Sequence, residues 1–420
     1  MYLPRLIETL IEKKLSYIGA IQIEGPKWCG KSTTATRYAK TVVKLQNPIV
    51  FKRYQVFAST GIQDLLHGEK PILFDEWQKI PELWDFIRLD VDEKQGNPGQ
   101  YILTGSAKPM EDSGRHSGAG RIAKIVMRPM SLYESKDSTG QVSLDRLFND
   151  LTYKVRGESK LTIVDQVNLV CRGGWPGVIG LPLTQAISYV NDYFQALVNI
   201  DIIDVDGVKR NSNRAKAILR TYARNISTLT DYQTMLRDLE NIGEGVDKTT
   251  LASYLSAFEK LFIIENLDAW TPKLRSATRI RMSQKKQFVD PSIAALALGA
   301  TPIDLGNDME TFGFFFESMV IRDLRVYLDR LGGTVFHYRD KNNLEVDCIL
   351  KLNDDRWAAV EVKVGGNQLD EAAANLLKLK EKIDVEHMKE PSFLMIVYGG
   401  VTAYRRADGV YVVPIGCLKD

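Results

Sequence analysis

Three patterns of apolar and polar positions follow one another along the chain. Up to about residue 135, short apolar runs (Ile18–Glu24, Pro71–Phe74 and Tyr101–Thr104) alternate with stretches of helical spacing. Such strands, separated by helices, predict a parallel sheet covered on both faces. The helix after the first strand is expected to start at Lys31 and run over Thr33–Val43. From Leu144 to about Leu298, apolar residues recur at three- and four-residue spacing, as in Ala186, Val190, Tyr193, Phe194 and Leu197. That predicts a mostly helical region, with Tyr232–Leu239 and Thr249–Lys260 joined by a turn containing Gly243 and Gly245. From Thr311 the order is helix (Phe315–Leu331), strands (Glu345–Leu350, Trp357–Val364), helix (Leu369–Lys382) and strands (Ser392–Tyr398, Gly409–Val413). The fold class is α/β with three expected domains, 1–140, 141–300 and 301–420.

Composition narrows the class. At 420 residues, 44% hydrophobic and 26% charged, the chain reads as globular and too long for one ordinary core. A net charge of +2 requires any basic surface to be local. Cys29, Cys171, Cys348 and Cys417 form no CxxC pair, which suits a reducing cytoplasm and argues against a zinc site. His67, His116, His337 and His387 are dispersed, which disfavours a histidine-based metal site or triad. No apolar run approaches a membrane span, and the N-terminus is a charged amphipathic helix pattern without the apolar core of a signal peptide. A soluble cytoplasmic protein is expected.

The first chemistry lies at Gly25-Pro26-Lys27-Trp28-Cys29-Gly30-Lys31-Ser32, which fits G-x-x-x-x-G-K-[ST]. The glycines let successive N–H groups face phosphate oxygens at a helix N-terminus, where Thr33 continues the contact. Lys31 supplies a point charge to the β- and γ-phosphates, and Ser32 offers its hydroxyl to Mg²⁺. The run Ile72-Leu73-Phe74-Asp75-Glu76 adds the hydrolytic half: Asp75 to hold Mg²⁺ and Glu76 to orient and activate water. Thr104 and Ser106, in Leu103-Thr104-Gly105-Ser106, are candidates for sensing the γ-phosphate. Arg115 and Arg121 lie in a glycine-rich stretch, and Arg121 is favoured as an arginine finger or sensor, in its own chain or a neighbour's.

In this order the motifs resemble a group of bacterial and archaeal AAA-like ATPases. Phe-Asp-Glu-Trp-Gln-Lys-Ile-Pro, Leu-Thr-Gly-Ser, Gly-Arg and Arg-Pro-Met-Ser-Leu-Tyr-Glu carry the likeness, followed by Gly173-Gly-Trp-Pro-Gly177, Asn199–Asp204 and Val289-Asp-Pro. The resemblance covers nearly the whole chain and implies an AAA-type fold with ATP and Mg²⁺ as ligands. In such proteins the C-terminal part is a domain of unknown function. Lys27-Trp28-Cys29 departs from the arginine and smaller residues of relatives.

Two further regions bear on what the ATPase serves. The helix pair over Asp231–Lys260 precedes an apolar strand, Phe262–Leu267, and a second near Lys286–Val289. Between them Thr271–Lys286 holds Lys273, Arg275, Arg279, Arg281, Lys285 and Lys286 and no acid. A winged helix with a basic wing is expected, to bind duplex or branched DNA or to act as a lid or oligomer contact. Its recognition helix is poor in cations (Lys248, Lys260), with Tyr254 and Phe258 turned inward. In the last region Glu317, Asp347 and Glu361-Val-Lys363 look like the PD-(D/E)XK nuclease fold of restriction enzymes and junction resolvases. Asp347 and Glu361 would hold a metal and Lys363 would complete catalysis. An active nuclease, a nuclease-like binding domain and a coincidental charge pattern all remain open. A protein partner and homo-oligomerisation are compatible with each.

Overall fold

The computed structural model describes residues 2–60, 62–105, 118–271, 283–383 and 388–420. The chain divides into two compact units: Tyr2–Arg128 with Lys260–Phe262, and Pro129–Glu259 with Ile263–Asp420. The regions expected as separate middle and C-terminal domains thus fall within one unit.

In the N-terminal unit, β1 (Ala20–Glu24), β2 (Thr41–Lys44), β3 (Ile72–Asp75), β4 (Tyr101–Gly105) and β5 (Ile122–Val126) form a parallel sheet in the order β2-β3-β4-β1-β5. Every residue of β1, β3 and β4 is buried, because helices cover both faces. Ile21, Ile23, Leu73 and Ile102 pack with Ile7 and Ile11 on one side; Phe74, Tyr101 and Leu103 pack with Leu83, Ile87 and Val91 on the other. The parallel register sends the loops after β1, β3 and β4 to one edge, where ligands of open α/β sheets bind.

One expectation is corrected here. The helix after β1 spans only Lys31–Thr36, and residues 41–44 are strand β2. Three threonines within the helix weaken its propensity, and Thr41-Val42-Val43 favours the extended state. Strand β5 lies in a stretch for which the sequence reading gave no strand.

In the second unit, β6 (Val142–Ser143) pairs with β14 (Leu418–Lys419). Strands β7 (Gly157–Glu158), β8 (Gly333–Arg339), β9 (Glu345–Leu352), β10 (Trp357–Lys363), β11 (Leu394–Tyr398), β12 (Thr402–Arg405) and β13 (Tyr411–Pro414) form the sheet β7-β12-β13-β11-β10-β9-β8. Strands β8, β9 and β10 are antiparallel, and β11 runs parallel to β10. The Leu369–Lys382 helix makes that parallel crossover and buries Ala372, Ala373, Leu376 and Leu379 with Ile349 and Ile396.

A buried ion cluster ties the helical part of this unit to the Met309–Leu331 helix. Arg322 bonds to Asp290 at 3.0 Å and to Asp323 at 2.7 Å. Asp290 also accepts from the Gly174 and Ser292 amides, and Asp323 from the Leu132 amide. Trp175 Nε1 donates to Ser292 Oγ at 3.0 Å. A Cβ on Gly174 would lie 2.1 Å from the Met130 carbonyl oxygen, so the close approach requires glycine. The Pro-Met-Ser-Leu, Gly-Gly-Trp and Val-Asp-Pro segments therefore meet in one hub inside the unit.

Candidate functional site

At the C-terminal end of β1 the chain turns sharply through Gly25 (φ 145°), Trp28 (φ 66°) and Gly30 (φ 101°) into the Lys31–Thr36 helix. A side chain at Gly25 would strike the Met127 carbonyl oxygen, 2.1 Å from its Cβ. Cys29 is buried and donates its thiol to that same oxygen at 3.3 Å. Pro26 is buried, Lys27 and Thr33 are exposed, and the Trp28 ring is half-exposed at the tip. The ammonium of Lys31, itself buried, donates to the Gly25 and Pro26 carbonyls at 2.9 and 2.7 Å. It lies across the loop that its charge would serve. Sequence reasoning missed Arg5, whose guanidinium donates to the carbonyls of Cys29 and Arg128, both at 2.7 Å. Arg5 pins the loop to the end of β5; its place just before an amphipathic helix gave no hint of this.

The hydroxyls of Ser32 and Thr104 both donate to Asp75 Oδ1 at 2.6 Å. Three strands thus deliver an amine, two hydroxyls and a carboxylate to one edge of the sheet. Glu76 follows in the left-handed region (φ 57°), a conformation that costs a non-glycine residue energy and that recurs at functional sites. Its carboxylate accepts from Gln78 Nε2. Gln78 is a second residue the sequence reading passed over, although it stands within Asp-Glu-Trp-Gln. Ser106 and Arg115 lie outside the described residues.

For Arg121, the reading that places it at the loop of its own chain is corrected. Arg121 precedes β5, where the Ala20 amide donates to its carbonyl at 3.0 Å, and its side chain pairs with Asp92 at 2.7 Å. The phosphate-type loop leaves the other end of β1, five residues and roughly 15 Å along the strand. Arg121 cannot reach the loop of its own chain.

The acidic residues of the C-terminal region do converge. Asp347 on β9 accepts the Val362 amide at 2.9 Å and lies 3.5 Å from Lys363 Nζ, while Lys363 pairs with Glu361 at 2.8 Å. A further cation completes the group. Lys285, only 1% exposed, places its Nζ 2.8 Å from Glu317, 3.3 Å from Asp347 and 3.5 Å from Glu345. Burial alone would pull its pKa down, but these three carboxylates outweigh it and hold the ammonium charged. Burial pushes Glu317 up to about 8 against the pull of Lys285, and pushes Glu361 well above the carboxylate range. For Asp347, Lys285 and Lys363 overcome burial and hold it well below.

Two expectations change with this cluster. Lys285 and Lys286 are not surface contacts for phosphate: Lys285 is ion-paired inside the unit, and Lys286 is buried over the Tyr232 ring. They stand in the paired base of a hairpin, where Leu267 bridges Lys285 and Ile264 bridges Phe288, so their side chains are taken up by packing. A metal held by Asp347 and Glu361 does not fit the arrangement either. Both Asp347 oxygens and one Glu361 oxygen already serve Lys285, Lys363 and the Val362 amide. Among the described residues no group of three His, Cys, Asp or Glu is placed to hold a metal ion.

His337, fully buried beside this cluster, has its pKa lowered to about 4 by burial, then by Lys285 and Arg339, against the Ser283 carbonyl and Asp268. An unfolded histidine takes up its proton near pH 6.5, the buried one only near pH 4. The neutral ring's contribution is therefore intact above about pH 6.5 and is lost as pH falls towards 4, about 3 kcal/mol in all. Urea unfolding at pH 7 and pH 5 should show wild type losing about 2 kcal/mol more over that interval than His337→Gln. Equal losses would remove the assignment.

Comparison with known proteins agrees with the loop geometry. Residues 19–136 match the family described as an AAA domain. That stretch of the chain is similar to AAA domains. Residues 164–304 and 312–418 match two domains of unknown function, DUF8612 and DUF4143. Two uncharacterized mycobacterial proteins, Rv2008c of Mycobacterium tuberculosis and Mb2031c of Mycobacterium bovis, are each 20% identical over 414 residues, 96% of this chain and 82% of theirs. Among solved structures, the Walker-type ATPase PABY2304 of Pyrococcus abyssi overlaps at a TM-score of 0.42 and 15% identity, over 70% of this chain and 96% of that one. The STAND protein PH0952 of Pyrococcus horikoshii, with a tetratricopeptide repeat sensor, overlaps at 0.24 and 13%, over 78% and 52%. The donor set of the AAA-like domain fits a nucleoside triphosphate with a hard divalent cation: hydroxyl and carboxylate oxygens for the metal, an amine and helix-end amides for phosphate.

Proposed function

We propose that the chain is an ATP-hydrolysing, DNA-associated ATPase. The observation that carries the first half is the meeting of Ser32, Thr104 and Asp75 beside the buried amine of Lys31. Lys31 and the backbone of residues 25–33 would hold the phosphates, and Ser32 and Asp75 would hold Mg²⁺. The metal's contribution there is to neutralise charge on the β- and γ-phosphates. Glu76, steadied by Gln78, accepts a proton from water as the water oxygen attacks the γ-phosphorus; the bond to the bridging oxygen breaks and ADP leaves. Thr104 reports the Asp75 side of the site to β4.

DNA association rests on the second unit. The Tyr232–Asn241 and Lys248–Lys260 helices precede the antiparallel bridges Ile264–Phe288 and Leu267–Lys285, the order of a winged helix. The sequence joining the bridged segments carries Lys273, Arg275, Arg279 and Arg281; these four lie outside the described residues. Their charge favours phosphate contacts, now without Lys285 and Lys286. The strand order β8-β9-β10-β11 with its crossover helix supports a nuclease-like fold for the C-terminal part, in a binding capacity.

ATP turnover measured with and without duplex DNA at low salt tests this reading. A severalfold rise with DNA is expected, declining as salt is raised. Glu76→Gln should bind ATP but turn it over at least a hundredfold more slowly. A flat DNA response together with no mobility shift would leave ATPase function standing and transfer the second unit to a protein partner. Normal turnover in Glu76→Gln would remove the base assignment.

A further inference from the structure

We infer that Lys285 is the resident cation of the carboxylate cluster on β9 and β10, standing where a divalent metal would sit in a phosphodiester-cleaving site. The geometry is that of a filled position. One ammonium lies within 3.5 Å of oxygens from Glu317, Glu345 and Asp347, which come from a helix and a strand. Lysine has three N–H donors, and the three carboxylates provide three acceptors. The second Asp347 oxygen faces Lys363 and the Val362 amide, so the carboxylate that would bridge metal and water has no free side.

The lysine is fixed from its own backbone outward. Its amide and carbonyl form reciprocal bonds with Leu267, both amides donating at 2.9 Å. The same hairpin is clamped by Arg325, which donates to the carbonyls of Glu265 and Asn266 at 2.8 and 2.9 Å. Coulomb attraction decides the outcome. Removing the ammonium from beside the buried Asp347 carboxylate would leave uncompensated charge, a cost of several kcal/mol per ion, so a divalent ion from solution competes against a tethered ligand at high effective concentration. The cluster therefore holds the sheet and the hairpin together without metal and performs no metal-assisted hydrolysis. This inference stands on the second unit alone and survives or fails independently of ATP turnover.

Manganese binding to the full-length, nucleotide-free protein, followed by electron paramagnetic resonance, tests it. Wild type and Glu317→Gln should bind the same number of ions, because the cluster contributes no site. Lys285→Met should gain one Mn²⁺ site that disappears in Lys285→Met/Asp347→Asn, with Mn²⁺ raising the melting temperature of the single variant only. A wild-type site lost in Glu317→Gln would overturn the inference, as would a folded Lys285→Met that gains none. Should Lys285→Met fail to fold, the wild-type comparison with Glu317→Gln still decides. Plasmid incubated with wild type and Mn²⁺ should remain uncut; cutting abolished by Asp347→Asn would also overturn it.

Discussion

Lys31→Ala is expected to lower ATP turnover by a factor of a hundred to a thousand, about 3 to 4 kcal/mol of transition-state stabilisation. The ammonium is buried and held by two carbonyls of the Gly25–Ser32 loop. Losing it removes the charge facing the transferring phosphate while leaving Ser32, Asp75 and Thr104 in place. Lys31→Arg should not rescue the rate. A planar, bulkier fork does not fit a pocket that closes on a compact amine, although the charge is retained. Steady-state phosphate release checks both variants, with thermal melting to confirm that each remains folded. Turnover within threefold of wild type in Lys31→Ala would refute hydrolysis at this loop.

The second large effect concerns stability. Arg322→Met should destabilise the second unit by roughly 3 to 5 kcal/mol, because it strands two carboxylates in the interior. Asp290 is 0% exposed, and burial already pushes Asp323 upward against the pull of Arg322. Adding Asp290→Asn and Asp323→Asn should return part of the loss, since the penalty belongs to the uncompensated charges more than to the missing arginine. Urea unfolding of the three proteins measures this. A loss below about 1 kcal/mol for Arg322→Met would show that the cluster relaxes or hydrates on mutation.

The loop and its acidic strand in the N-terminal unit were legible because their signals are local. A glycine-spaced loop between a strand and a helix, and a strand ending in Asp75-Glu76, need only sequence neighbours to be read. The parts that failed depend on the third dimension. Arg121 looks near the loop in a motif string, but parallel strands put the start of β5 and the end of β1 at opposite edges. Arg5 acts through carbonyls over a hundred positions away in one case, and no periodicity marks it. Lys285 shows the same limit most plainly. In the sequence it is one of six cations in a row without acids; only the fold brings Glu317, Glu345 and Asp347 around it. Conversely, the Asp347, Glu361 and Lys363 spacing was read correctly as a meeting point, since strand alternation and adjacency are sequence-level geometry. Lys285, which pairs with Asp347 there, arrives from elsewhere in the sequence.

That partner lies in the stretch matching DUF8612, and the carboxylates it neutralises lie in the stretch matching DUF4143. The two segments are consequently coupled through one ion-paired cluster. A recombination that replaced residues 312–418 from a distant relative would have to bring a compatible residue at position 285 with it, or leave the acid in the place of Glu317 without its ion-pair partner. Substitutions at 285, 317, 345 and 347 are thus tied as one charge-pairing constraint across a junction that sequence families draw as a border.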